Sequence, residues 1–114
     1  MESKPFVPEA PSVSAILDQL WVKFLPQMQE RVATLQDAGD ALALSELPPA
    51  VRAEAHSAAH KLAGILGTFG LENGTTLARE AESLLAPGKN LDSPAQHRLD
   101  QISTEIRSMI GSRP

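Results

Sequence analysis

His56 and His60 stand four residues apart in a stretch rich in alanine and glycine. On a helix that spacing puts both imidazoles on one side, about one turn from each other. An accessible imidazole serves as a general base, a metal ligand or a nucleophile. A general base needs a nucleophile or polarising partner beside it and a second group to orient its ring. The neighbours of His60 are instead Ser57, alanines and glycines. A metal centre needs more than two ligands, and no acidic residue shares the stripe of His56 and His60. Nucleophilic attack on phosphorus asks least of the chain that performs it. Positioning and charge for phosphoryl transfer can come from the partner's metal and side chains. A bare, approachable nitrogen on a flat surface is then sufficient.

The residues around the histidines support that chemistry. A helical wheel at about 100° per residue gathers Val51, Ala55, Ala58, Leu62, Ile65, Leu66 and Phe69 on a core face. Arg52 flanks that face on one side, Glu54 and Lys61 on the other. The far side of a surface helix is ordinarily its most polar. Here it holds Ala53, His56, Ser57, His60, Ala63, Gly64 and Gly67. A glycine in a helix interior costs about 1 kcal/mol relative to alanine, and a solvated face gives no packing in return. Small residues around one reactive ring point to close approach by a partner. His60 is the reactive group, and His56, Ser57, Ala63, Gly64 and Gly67 form the docking surface. His97 reads as an ordinary surface residue, and Trp21 and Phe24 as helix-packing residues.

Helices must carry this face. Ser12 and Ser14 are good N-caps for a first helix whose apolar residues recur from Val13 to Leu44. Pro26 interrupts that pattern, and a kink or break is expected there. Leu47-Pro48-Pro49 is a connection, with proline just inside the start of a second helix that runs to Phe69. Gly70 separates it from a third helix over residues 71–86, which Pro87-Gly88 stops. Ser93-Pro94 reads as an N-cap and first helical residue of a last helix ending at Gly111. Strand signals are weak. Short connections between apolar-faced helices make antiparallel neighbours. The expected fold is all-α: an antiparallel four-helix bundle with an additional N-terminal helix or kinked extension. It occupies residues 12–114, after a flexible leader over 1–11 that carries Pro5, Pro8 and Pro11.

Composition narrows the classes. The chain has 114 residues, enough for one domain with a single core. It has no cysteine, which removes disulfides, thiolate metal sites and cysteine nucleophiles. Its net charge is −4, and its basic residues are dispersed, so the footprint of a nucleic-acid binder is missing. Neither a signal-peptide pattern nor an apolar run of membrane length occurs. A soluble, cytoplasmic monomer with no membrane contact is expected.

Ala59-His60-Lys61-Leu62-Ala63-Gly64, then Gly67-Thr68-Phe69-Gly70-Leu71, then Leu77, Ala78, Glu82 and Leu84-Leu85 resemble the histidine-containing phosphotransfer (HPt) domain. The specific part of the resemblance covers residues 56–85. It implies that His60 is the phosphoacceptor through Nε2. It implies response-regulator receiver domains or a hybrid histidine kinase as partners, with aspartyl phosphate as donor. Mg²⁺ would belong to the receiver, and this chain would bind no cofactor or metal. Such a chain is a phosphorelay carrier rather than an enzyme. Gly64 would let the receiver approach. Family members often carry a lysine three residues after the histidine, where this chain has Ala63. Lys61 is therefore the candidate phosphate-neighbouring cation. Two other readings stand beside this one: a helical interaction module that docks through the same face without phosphorylation, and a metal-bridged dimer through His56 and His60.

Overall fold

The side chain of Ser12 accepts a hydrogen bond from the Ala15 amide at 3.0 Å, and this cap opens the first helix, α1, over Val13–Ala43. Three more follow: α2 over Pro49–Thr68, α3 over Glu72–Leu84 and α4 over Ser93–Ser112. The computed structural model describes residues 12–44 and 47–112, and among these there is no strand. The leader expected over 1–11 lies outside the described residues.

The helix does not break at Pro26. Proline removes one donor and crowds the carbonyl four residues back, which belongs to Val22. Val22 is 71% exposed, so water can take that carbonyl. On either side of Pro26, Trp21, Met28, Val32 and Leu35 bury into one core. Tertiary packing thus holds the two halves in one helix, and the expected N-terminal extension is the first part of α1 itself.

Pro49 starts α2, and α2 ends in a Schellman turn. The Leu71 amide reaches back to the Leu66 carbonyl at 2.9 Å and the Gly70 amide to Gly67 at 3.1 Å. Gly70 has φ +74°, a conformation natural to glycine. The last helix is capped one residue earlier than expected: the Asp92 carboxylate, not Ser93, accepts from the Ala95 amide at 3.0 Å. A carboxylate there also meets the positive end of the helix dipole.

Each helix packs on its chain neighbours, and α1 closes the ring against α4. Met28, Leu35, Leu62, Leu66, Leu99 and Ile102 fill the centre and are fully buried. Trp21 meets Phe69 edge to face at 5.1 Å, tying α1 to the end of α2. At Gly39 the Asp100 side chain of α4 lies against α1, its carboxylate oxygen in the space an added Cβ would take.

Candidate functional site

Two neighbours, α1 and α3, press on α2 from different sides, and this decides which of its residues remain open. Ala55, Ala59, Ala63 and Leu66 recur every three or four residues and are buried, as are Gly74, Ala78 and Ala81 of α3. Small side chains on both helices allow their backbones to approach closely. Ala63, expected on the docking face, is therefore only 5% exposed. Its carbonyl accepts a hydrogen bond from Thr75 Oγ1 of α3 at 3.1 Å. At the opposite end of the same contact, Arg52 donates to the Leu85, Ala86 and Lys89 carbonyls at 3.0, 2.6 and 2.7 Å. Arg52 and Thr75 thus pin α3 to α2 at both ends.

Between those two pins stands His60. Its side chain is 72% exposed, and its Nδ1 lies 2.9 Å from Glu82 Oε2 of α3. A carboxylate can only accept, so Nδ1 carries the hydrogen and donates it. In the neutral ring Nε2 then keeps the lone pair. Glu82 fixes both the tautomer and the orientation of the imidazole. A signal for the observed pairing exists: His60 and Glu82 lie about equally far from the Gly70 turn, so antiparallel packing sets them side by side.

The other expected site residues divide. Ser57 and Gly64 are exposed on the same outer face as His60. A Cβ on Gly64 would meet nothing within 4 Å, and on Gly67 only Thr75 Oγ1 at 3.4 Å. His56 is half-buried on the α3 side, at the edge of a hollow that also includes Ala53 and Leu85. Lys61 lies on the α1 side, in a groove with Glu30, Arg31, Thr34, Glu54 and Ser57. Among the described residues, no group of three or more His, Asp or Glu could hold a metal ion.

Acidic residues two apart on α3 point to different partners. Glu82 turns to α2, while Glu80 turns to α4 and takes both forks of the Arg98 guanidinium at 2.5 and 2.7 Å. That hydrogen-bonded pairing, with the attraction of the Arg98 charge, holds the Glu80 carboxyl below the usual carboxylate range despite some desolvation.

Fold and site together define an α-helical bundle that presents one oriented imidazole on its outer surface. A family model described as the Hpt domain matches residues 19–111, and the chain belongs to that family. Hpt domains act in phosphotransfer, and that general role carries over to this chain. Protein RcaC of Microchaete diplosiphon is 34% identical over 96 residues. The match covers 84% of this chain but only 15% of that protein, so the chain spans a small part of its relative's length. No solved structure gives a significant match. No helix among the described residues is long and apolar enough to cross a membrane.

Proposed function

We propose that His60 carries a phosphoryl group between the aspartates of receiver domains. The Nε2 lone pair attacks phosphorus of an aspartyl phosphate. The Nε2–P bond forms as the bond from phosphorus to the aspartyl oxygen breaks, and the carboxylate leaves with the electron pair. The ring keeps its Nδ1 hydrogen and becomes a phosphoimidazolium, whose positive charge faces Glu82. Attack by the aspartate of a second receiver reverses these steps. Glu82 is a positioning residue: it touches neither the phosphoryl group nor the receiver. Mg²⁺ sits on the receiver, and Lys61 is the nearest basic residue along the chain to meet the phosphoryl oxygens. The chain works as a monomeric carrier and turns nothing over without its receiver.

The observation that carries this reading is the exposed ring with its Nδ1 held by a carboxylate at 2.9 Å. Incubation with a phosphorylated receiver and Mg²⁺ is the test. The expected product is an acid-labile, base-stable phosphate on the chain, absent from His60→Gln. A label that survives that substitution removes His60 as the acceptor. No transfer from any receiver of the same organism points to docking without phosphorylation.

A further inference from the structure

One turn below His60 the surface opens into a hollow of about 450 Å³, walled by Leu47, Ala53, His56, Leu85 and Pro87. Arg52 also borders it, but its Nε and Nη2 are committed to three backbone carbonyls. The walls are otherwise mostly apolar side chains. At about 1.5 Å per residue, His56 and Ala53 lie about 6 and 10 Å from His60 along the helix axis. A specific docked partner covers about 800 Å² of each surface, a disc of about 16 Å radius. A receiver footprint of that size centred on Nε2 covers the hollow as well. On the other flank of α2, the groove beside Lys61 is lined by Glu30, Arg31, Glu54 and Lys61, a mixed-charge surface unsuited to an apolar anchor. The hollow also falls in the range of about 300–1,000 Å³ typical of binding pockets, and side chains seated in such pockets dominate interface energetics.

We infer that this hollow is the anchor pocket of the receiver interface and takes one aliphatic or aromatic side chain from the docked receiver. The inference rests on the phosphotransfer reading of His60. Chemistry at Nε2 is the same for every receiver, so choice among receivers must come from contacts away from the reacting atoms. This pocket supplies one.

Ala53→Phe tests it. Ala53 is exposed, so the substitution plugs the hollow without entering the core. Each protein is labelled by two donors: a receiver from its own organism, phosphorylated with acetyl phosphate and Mg²⁺, and phosphoramidate, which needs no docking surface. Losing one buried side chain should raise KM for the receiver by about tenfold or more. The ratio of receiver transfer to phosphoramidate labelling should fall by the same factor, and the Leu47 and Ala53 methyls of the wild-type protein should show intermolecular NOEs to bound receiver. A ratio within about twofold of wild type overturns the inference. A dimer of the free protein that Ala53→Phe dissolves gives the hollow to a second copy, and also overturns it. Wild-type protein that neither donor labels at His60 refutes the phosphotransfer reading itself, and this inference with it.

Discussion

Removing the Glu82 carboxylate should slow phosphorylation of His60 even by a donor that touches nothing else. In the transition state the ring gains positive charge as Nε2 engages phosphorus, and Glu82 Oε2 sits 2.9 Å from Nδ1. Unit charges about 4 Å apart attract by about 4 kcal/mol at an effective dielectric of 20, and by about 1 kcal/mol in water. The His60 side chain is 72% exposed and Glu82 28%, which places the pair near the water end of that range. A loss of about 1–2 kcal/mol corresponds to a rate lower by about 5–30-fold. Glu82→Gln keeps an acceptor but removes the charge, and its amide can also donate to Nδ1, so it should show most of the loss. Glu82→Ala additionally frees the ring to rotate and change tautomer. The assay is the initial rate of phosphoramidate labelling followed by ³¹P NMR, with the ring tautomer read from ¹⁵N shifts. Wild-type rate and wild-type tautomer ratio in Glu82→Ala would refute the reasoning.

Three further outcomes follow from the packing. Gly64→Glu should be more stable than wild type, because its Cβ meets nothing within 4 Å and Glu exceeds Gly in helix propensity by about 0.5–1 kcal/mol. Receiver transfer should nevertheless fall at least tenfold, since a long charged side chain stands in the approach path; a melting scan and a transfer assay on one preparation check both. Gly39→Leu should destabilise by about 1–3 kcal/mol, since Gly39 is buried and a leucine there must displace the Asp100 carboxylate that lies against it, and urea unfolding reads the loss. Glu80→Gln should be less stable than wild type at neutral pH but not in acid. The carboxyl of Glu80 is held below its ordinary value in the fold. Its stabilisation is therefore complete above the unfolded pKa of about 4.3 and disappears as pH falls through the folded one. Unfolding curves of the two proteins should converge below that range.

Much of this molecule is legible from residue types. The caps at Ser12 and Gly70, the proline entry into α2 and the core positions Ala55, Leu62 and Leu66 follow from spacing alone. So does the exposure of His60 opposite Leu62. Two positions are decided by tertiary packing rather than by local signals. Pro26 is a strong local breaker, but burial on both sides of it outweighs one lost donor. Ala63 falls outside an arc centred on Leu62, yet a helix with two neighbours buries a wider arc than a wheel with one core allows. The Asp92 cap was missed because Ser93-Pro94 is an equally good signal one residue on. Glu82 could not be assigned from its own helix, since its partner lies across the α2–α3 contact.

That contact gives the small residues of α2 two separate purposes, which the sequence runs together. Ala55, Ala59 and Ala63 are buried, and at Ala63, whose carbonyl meets Thr75, the small side chain lets α3 come near. Gly64 faces outward, with nothing within 4 Å of an added Cβ, and on the proposed function its small size lets the receiver come near. These arcs are adjacent, and His60 lies between them. The first sets the chemistry: larger side chains at Ala59 or Ala63 would push α3 away and withdraw Glu82 from hydrogen-bonding reach of Nδ1, freeing the tautomer while leaving His60 fully exposed. The second sets access. Exposure alone therefore does not make His60 a competent acceptor. The buried alanine seam, pinned by Arg52 at one end and Thr75 at the other, is as much a part of the site as the open surface above it.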